Sequence, residues 1–247
     1  MKDQLTLGMQ QTKKAESGFN PLDAFVRVPF VNEIIKGDSR ELIKELPENS
    51  IDLLVTDPPY FVPAQSYVGK RGDSYRRKTL ADATMLETAF IYIFELLSNP
   101  LKPSASAYVF CDGQSYPMVF KAMFPHFKYV RPLIWDKKVS YNGYTWRHQH
   151  EIIAWGEGFD AERIPTGDGD ILRHSGVKQK DRLHDAEKPI QLIVDLIKKH
   201  GENKLILDPF AGSCPVAAGA KLTNNHFICF EYEQKNVDAG YERLKAL

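Results

Sequence analysis

At residues 51–60 the chain reads IDLLVTDPPY. The first six residues form an apolar run that predicts a buried strand, and the strand ends in an acid, two prolines and an aromatic ring. Pro59 lacks an amide donor and biases Pro58 away from the helical region. Carbonyls and side chains can then point into a cleft, which suits a planar substrate whose NH2 group needs acceptors and a covering ring. The alternative is an ordinary Pro-Pro turn after a strand.

The composition fits one large α/β domain. The chain has 247 residues, of which 43% are hydrophobic and 26% are charged. No apolar run approaches the roughly 20 residues of a membrane span, and residues 1–4 lack the pattern of a signal peptide. Cys111, Cys214 and Cys229 occur singly, without metal-type spacing, which indicates reduced core thiols. We therefore expect a cytoplasmic protein (or one in the host cytoplasm, if a virus encodes it), with no membrane contact and no metal site.

Charge is distributed unevenly along the chain. The net charge is zero, which excludes a globally basic nucleic-acid binder. Residues 61–84 and 128–150 are nevertheless locally basic. Their cations are candidates for phosphate contacts, with solvated surface as the alternative. The candidates are Lys70, Arg71, Arg76, Arg77, Lys78, Lys137, Lys138 and Arg147.

From Asn32 onward, short apolar strands alternate with helical segments. This alternation predicts a mostly parallel sheet that is covered by helices on both faces. We expect residues 1–31 to form an N-terminal extension and residues 32–247 a single catalytic domain. Insertions at 61–84 and 136–183 are candidates for contact with a partner.

Three local patterns make narrower predictions. The apolar run Ala105–Cys111 follows two prolines, Pro100 and Pro103, which predicts a buried strand that begins at Ala105. Thr84-Met85-Leu86-Glu87 has the form of a capping box, which predicts that a helix begins there. Residues 156–183 are rich in Gly, Asp and Arg and are predicted to be irregular.

A second strand-end motif follows about 150 residues after the first. The apolar run Lys204–Leu207 leads into DPFAGS at Asp208–Ser213, and a helix of small residues comes next. Ala211, Gly212 and Ser213 let backbone amides approach a ligand, and a helix N-terminus favours negative groups. The turn lacks the three-glycine dinucleotide pattern and there is no P-loop lysine. A nucleoside cofactor without a pyrophosphate therefore fits better.

Glu231 ends the predicted strand His226–Phe230, about 20 residues beyond this turn. An acid at that distance is placed to accept hydrogen bonds from ribose hydroxyls. The alternative is an acid that opposes the dipole of the next helix. In open α/β sheets, ligands bind beyond the carboxyl ends of strands where the strand order reverses. Both strand-end motifs are expected to meet at such a crevice.

The two motifs, in this order, resemble those of the amino-group DNA methyltransferases of the permuted (beta) class, in which the catalytic motif precedes the cofactor motif. The resemblance extends from about Asn32 to the C-terminus. It implies a single Rossmann-like, doubly wound, mostly parallel sheet of the S-adenosylmethionine-dependent methyltransferase type, with a circularly permuted motif order. It also implies S-adenosyl-L-methionine as the cofactor.

The resemblance assigns roles to individual residues. The catalytic motif consists of Asp57, Pro58, Pro59 and Tyr60. The cofactor turn consists of Asp208, Pro209, Phe210, Ala211, Gly212 and Ser213, and Phe210 could equally be a core residue. Glu231 would bind the ribose, Asp38 would lie near the adenine, and Lys188 would flank the methionine end. Cys214-Pro215 departs from the glycine and threonines usual in the family, which puts cofactor affinity in question.

The implied activity is methylation of the exocyclic amine of a flipped base in double-stranded DNA. The acid at the head of the catalytic motif resembles adenine methylators more than cytosine methylators, which often carry serine there. Adenine N6 is therefore favoured, with cytosine N4 as the second option. The remaining alternative is a degenerate protein that binds cofactor and DNA without transferring methyl groups. A homodimer and a restriction partner are both compatible with this resemblance.

Overall fold

The computed structural model describes residues 25, 27–59, 80–138, 145–162, 167–177 and 187–247. These residues form eight strands and six α-helices. The strands are β1 (Glu33–Lys36), β2 (Ile51–Thr56), β3 (Leu101–Cys111), β4 (Tyr129–Asp136), β5 (His150–Glu157), β6 (Ile171–Arg173), β7 (Leu205–Asp208) and β8 (His226–Glu231). The helices are α1 (Ser39–Leu42), α2 (Leu80–Leu97), α3 (Tyr116–Met123), α4 (Ile190–Lys198), α5 (Pro215–Leu222) and α6 (Gln234–Lys245).

All eight strands described belong to one sheet, in the order β1-β8-β7-β2-β3-β5-β4-β6. The first five of these strands pair in parallel. Strand β5 is antiparallel to both β3 and β4, and β6 is parallel to β4. The prediction of a mostly parallel α/β sheet is therefore confirmed.

The strand order reverses between β2 and β7. From β2 the chain proceeds to β3 on one side, whereas from β7 it proceeds to β8 on the other. The two strands pair with Leu53 opposite Ile206 and Leu54 opposite Leu207. This register brings the residues that follow both strands to the same edge of the sheet, at the switch point where α/β folds bind ligands.

The two faces of the sheet are covered by different helices. On β2, Leu54 packs in one core with Phe94 of α2 and Met123 of α3. Leu53 and Val55 point to the opposite face, where they share a core with α4 and α5. This alternation follows from the two-residue repeat of a strand, and burial on both faces explains why β2 reads as continuously apolar. The sheet is doubly wound, as predicted.

Three local predictions differ from the structure. Helix α2 begins at Leu80, before the capping-box residues, and the alanines in this turn are strong helix formers that allow the earlier start. Strand β3 begins at Leu101 although Pro103 follows, because the pairing with β2 shifts register there and a bulge tolerates proline. Strand β6 lies inside the segment predicted to be irregular. It has only three residues, too few to show a period.

The last residues of the predicted N-terminal extension pack on the domain. Phe25 is buried, and its ring meets the His226 ring edge-on with the centroids 5.1 Å apart. Phe30 makes a similar contact with Phe230. The boundary at residue 31 stays a prediction. Among the helices that the structure describes, none is long and apolar enough to cross a membrane.

Candidate active site

Asp57 follows β2 directly, at the carboxyl edge of the sheet. Its side chain is 24% exposed, and its Oδ2 accepts a hydrogen bond from Lys188 Nζ at 2.6 Å. Pro58 is buried and Pro59 is exposed. Tyr60, the predicted stacking ring, lies outside the described residues. The carboxylate of the first motif therefore lies at an accessible strand end, beside a buried cation.

One hydrogen bond joins the two strand-end motifs. Thr56 Oγ1, one residue before Asp57, donates to Asp208 Oδ1 at 2.8 Å. Asp208 Oδ1 also accepts from the Phe210 amide at 3.1 Å. Asp208 is 2% exposed, so its carboxyl acts inside the protein, where it ties the start of the second turn to the end of β2. The two motifs meet at one crevice, as the sequence predicts.

Burial raises the pKa of the Asp208 carboxyl to about 7, and the hydrogen bonds from Thr56 and Phe210 lower it less than burial raises it. In an unfolded chain an aspartate titrates near about 4. The folded protein therefore binds more protons than the unfolded chain between about pH 4 and pH 7, and its free energy of unfolding falls as the pH rises through that window.

Asp208→Asn should remove this contribution, because an asparagine Oδ1 accepts the same two hydrogen bonds without titrating. We expect the melting temperature of the variant, relative to wild type, to rise between about pH 5 and about pH 8. Thermal melts of both proteins across that range test the prediction. Two melting curves that shift in parallel with pH would show that Asp208 does not titrate as described.

The second turn is held by a backbone hydrogen bond to β8 and by a side-chain hydrogen bond from α1. The Ala211 amide donates to the Phe230 carbonyl at 3.0 Å, and Ser39 Oγ donates to the Pro209 carbonyl. Gly212 has a φ of +51°, and no atom lies within 4 Å of the position where its Cβ would be. The left-handed conformation and the open space leave the backbone of the turn accessible to a ligand, as the small residues predict.

Glu231 lies at the end of β8 and holds this turn in place. Its Oε2 accepts from the Gly212 amide at 2.8 Å. Its Oε1 accepts from the Glu233 amide at 2.8 Å and from Asn236 Nδ2 at 3.2 Å. The acid thus fixes the turn and the start of α6 at once. Binding of a ribose by Glu231 stays a prediction.

Asp38 lies beyond β1, which is next to β8 in the sheet. Its carboxylate caps α1 by accepting from the Arg40 amide, and it pairs with the Arg40 guanidinium at 2.5 Å. The hydrogen bond from this guanidinium lowers the pKa of Asp38 to about 2. Gly37 donates its amide to the Glu231 carbonyl at 2.9 Å. The predicted adenine-side and ribose-side acids are therefore on adjacent strand ends.

Cys214 packs its side chain into the core between the cofactor turn and α6. It is completely buried, with a φ of +57°, and caps α5 ahead of Pro215. Its Sγ lies against α6, where a Cβ on Gly240 would be only 2.6 Å away. Burial, with a smaller contribution from Cys214, raises the pKa of Cys229, so the two thiols are neighbours in the core. The Sγ also donates to the Gly212 carbonyl at 3.5 Å, so the departure at Cys214 is accommodated in the core between the cofactor turn and the glycine on α6.

A small cavity of about 70 Å³ lies between the motifs. Residues of both motifs line it, together with a phenylalanine and the lysine from before α4: Thr56, Asp57, Phe110, Lys188, Gly212 and Ser213. A larger cavity of about 870 Å³ lies near the opposite ends of the parallel strands, beside Asp52, Tyr108 and Lys204. None of the motif residues that the structure describes lines that larger cavity, so the smaller cavity is the candidate site.

Lys188 is almost completely buried, which its predicted position beside the methionine end of the cofactor does not by itself require. Its side chain is 4% exposed, and its Nζ lies between Asp57 and Glu151. Glu151 Oε2 is 3.3 Å from Lys188 Nζ, and its Oε1 is 2.5 Å from Lys137 Nζ. Burial raises the pKa of Glu151, but Lys188 and Lys137 together hold it below its usual range. Glu151 is not among the residues predicted from the sequence, where its only signal is an acid at the start of an apolar run.

Arg243 is also absent from the site residues predicted from the sequence. It is a buried residue of α6, and its guanidinium donates to the Ser213 carbonyl at 2.9 Å, to Ser213 Oγ at 3.2 Å and to Glu187 Oε1 at 2.8 Å. The last helix thereby clamps the end of the cofactor turn to the segment before α4. Glu187 stands one residue before Lys188, so this clamp also anchors the lysine that contacts Asp57.

The predicted nucleic-acid contacts are only partly described. The five cations from Lys70 to Lys78 lie outside the described residues. Lys137 pairs with Glu151, whereas Lys138 and Arg147 are exposed. Residues 145–150 are all exposed, and Trp146 has 89% of its surface open. They lead directly into Glu151 and so lie at the same end of the sheet as Asp57. The DNA contacts themselves stay predictions.

The family model for N6- and N4-specific DNA methylases matches residues 51–242. This match spans most of the chain and includes both strand-end motifs and Glu231. The chain belongs to this DNA methylase family. The predicted family is therefore confirmed, and the crevice between β2 and β7 is the place in this DNA methylase where the two family motifs meet.

Two bacterial relatives of this DNA methylase are similar over most of its length. The Type II methyltransferase M.HinfI of Haemophilus influenzae is 24% identical over 250 residues, which cover 88% of this chain and 69% of the relative. The Type II methyltransferase M.BglII of Bacillus subtilis is 27% identical over 264 residues, which cover 87% of this chain and 69% of the relative.

Solved structures share the fold of this DNA methylase. The cytosine-N4-specific PvuII DNA methyltransferase superposes with a TM-score of 0.67 at 18% identity, and 85% of each chain is covered. M1.HpyAVI in complex with its SAM ligand superposes with a TM-score of 0.66 at 18% identity, over 86% of this chain and 98% of that one. The predicted fold class is confirmed.

Proposed function

We propose that this DNA methylase transfers a methyl group from S-adenosyl-L-methionine to the exocyclic amine of a flipped base in double-stranded DNA. The observation that carries the proposal is the hydrogen bond from Thr56 to Asp208, because it places the acid of the catalytic motif beside the cofactor turn. A nucleophile and a methyl donor must lie side by side and in line for transfer. Two adjacent strand ends, joined by a hydrogen bond between the last residue of β2 and the last residue of β7, support that arrangement.

The turn fits a nucleoside cofactor that has no pyrophosphate. Gly212 has no atom near its missing Cβ, so a ligand can approach the backbone there. Glu231 and Asp38 are two acids on adjacent strand ends. Their carboxylates can accept hydrogen bonds from the hydroxyls and the amine of a nucleoside. A carboxylate has about four acceptor positions, so Glu231 can accept from a ribose while it holds the turn. When bound, S-adenosyl-L-methionine supplies an electrophilic methyl group on a sulfonium.

Asp57 is proposed to accept one N–H of the base amine, and the Pro58 carbonyl to accept the other. The lone pair of such an amine is delocalised into the ring and makes a poor nucleophile. Two fixed acceptors favour pyramidal nitrogen and stabilise the positive charge that develops on it, so positioning and electrostatics are the main contributions. The nitrogen would gain the methyl group as the methyl–sulfur bond breaks, and the sulfur would keep that electron pair as a neutral thioether. The nitrogen would also lose one proton, which passes to Asp57 or to water.

Tyr60 is proposed to stack on the flipped base. The amine of a paired base cannot reach Asp57 inside a duplex, so the nucleotide must leave the stack. Stacking on an aromatic ring contributes roughly 1–3 kcal/mol per base. The cations at 61–84 and the exposed residues 145–150 are proposed to contact the DNA around the extruded nucleotide. Arg147 is the exposed cation in this second group.

Adenine N6 is the proposed target because the catalytic motif begins with Asp57, as in the adenine methylators that it resembles. The alternative is a degenerate protein that binds cofactor and DNA without methyl transfer, and it rests on Cys214-Pro215. The burial of Cys214 against α6 supports the active enzyme. The names of the bacterial relatives support a role in restriction-modification, with a cytoplasmic location as part of the same proposal.

The proposal is tested by incubating the protein with mixed-sequence duplex DNA and S-adenosyl-L-methionine that carries a radiolabelled methyl group. We expect label in the DNA, and single-molecule sequencing of the product is expected to place the modification on adenine in one short sequence. Modification of cytosine would overturn the choice of base alone. Absence of label, with protein that binds the cofactor by calorimetry, would contradict the transfer activity.

A further inference from the structure

The strongest feature outside the two motifs is a row of four largely buried charges that ends at Asp57. Lys137 follows β4, Glu151 is in β5, Lys188 precedes α4 and Asp57 follows β2. The charges alternate in sign, and the three successive nitrogen–oxygen distances are 2.5, 3.3 and 2.6 Å. Four separate segments therefore converge on the catalytic carboxylate.

Lys188 depends on both of its carboxylates. Its side chain is 4% exposed, and its ammonium lies 5.4 Å from the centre of the Phe110 ring. A buried cation needs paired and hydrogen-bonded anions to offset the loss of water. Asp57 contacts one side of this ammonium, and Glu151 contacts another. Without Glu151 the ammonium would lose one of the two carboxylates that it contacts within the described part of the chain.

We propose that Glu151 is a positioning residue of the methyl-transfer reaction, acting through Lys188 on Asp57. By holding the ammonium against Asp57 Oδ2, Glu151 fixes the plane of the Asp57 carboxylate and therefore the direction in which it accepts the base amine. The inference rests on the proposed function and deepens it. It also gives Lys137 a role in the same network, as the outer cation that holds Glu151.

The backbone of Glu151 does not depend on this role. Trp135 and Glu151 are opposite each other in the antiparallel pair of β4 and β5, which continues for eight residue pairs. Glu151→Gln keeps the size of the side chain and one acceptor oxygen, removes the charge and replaces the other oxygen with an NH2 donor. We therefore expect the variant to keep its fold, which a thermal melt verifies. A loss of activity in a folded variant can then be assigned to the charge.

The test is the steady-state kinetics of Glu151→Gln on DNA that the wild type methylates. A misplacement of about 1 Å can cost about 10²-fold in rate, so we expect kcat to fall at least about tenfold. We expect the dissociation constant for S-adenosyl-L-methionine to stay within about threefold, which is less than about 0.7 kcal/mol. Glu151→Asp should restore part of the rate. Glu157→Gln, at the other end of β5, is the matched control and should leave kcat unchanged.

A double-mutant comparison with Lys188 distinguishes a positioning role of Glu151 from a general loss of structure. If Glu151 acts through Lys188, then Glu151→Gln should cost little further activity when it is added to Lys188→Gln. Full additivity would overturn the inference, as would an unchanged kcat in Glu151→Gln. Because all rates are compared with an active wild type, inactivity of the wild type itself would instead contradict the proposed function.

Lys137→Gln provides a second route if Glu151→Gln does not fold. The network predicts a lower kcat at saturating DNA for this variant. A direct phosphate contact predicts a higher KM for DNA and a weaker dependence of binding on salt, with kcat unchanged. That second pattern would overturn the inclusion of Lys137 in the network. It would also overturn the proposed action of Lys137 on Asp57 through Glu151 and Lys188.

Discussion

Asp57→Ala is expected to lower kcat by about 10³-fold or more and to leave cofactor binding intact. Loss of one preorganised hydrogen-bonding group costs about 10²–10³ in kcat in other enzymes, and Asp57 is proposed to contribute both orientation and charge. The cofactor turn is held by Thr56, Asp208 and Glu231, none of which hydrogen-bonds to Asp57 through its side chain. Single-turnover methyl transfer and calorimetric titration with S-adenosyl-L-methionine measure the two effects.

Asp57→Asn is the matched control for this prediction. An asparagine keeps the shape and one acceptor oxygen but removes the negative charge. We expect it to retain more activity than alanine and far less than wild type, because charge and geometry both contribute. Near-normal turnover in Asp57→Ala would show that the catalytic acceptor lies elsewhere in the chain.

Glu231→Ala is expected to raise the dissociation constant for S-adenosyl-L-methionine by about 100-fold or more. The variant loses three hydrogen bonds to a charged group, from Gly212, Glu233 and Asn236. Each such bond contributes about 1.5–3 kcal/mol, and about 2.7 kcal/mol corresponds to 100-fold in affinity. The Gly212 amide would be left without its acceptor, so the cofactor turn would lose its shape before the rest of the domain does.

Calorimetry on Glu231→Ala, Glu231→Gln and Glu233→Ala tests this prediction. Glutamine keeps one acceptor oxygen and should give an intermediate affinity. Glu233 is an exposed neighbour whose side chain makes no capping hydrogen bond, so its variant should bind the cofactor like wild type. Equal affinities for all four proteins would show that Glu231 does not support the cofactor site.

The sequence predicts the strand ends well because their signals are local. Each is an apolar run that leads straight into a turn with restricted or small residues, and these features need no information about the rest of the chain. The order of the two motifs then determines which strands flank the switch point. The direction of a strand in the sheet is harder to predict, because an apolar run such as β5 looks the same in a parallel and an antiparallel pair.

The partners of the catalytic residues could not be predicted from the sequence. Lys188 is 131 positions from Asp57, and Arg243 is 56 positions from Glu187. No periodicity links residues so far apart, since their contact depends on where α4 and α6 pack. The same reasoning applies to Cys214, whose sulfur is accommodated by Gly240 on a different helix. Buried charges and close helix contacts become visible only in three dimensions.

The central claim is that the crevice at Asp57 and Asp208 methylates an exocyclic amine of a DNA base. It is tested most directly by mass spectrometry of nucleosides from duplex DNA that was incubated with the protein and S-adenosyl-L-methionine carrying a deuterated methyl group. We predict deuterated N6-methyladenine with the wild type and none with Asp57→Ala. A deuterated methyl on a ring carbon, or equal label with both proteins, would contradict the account.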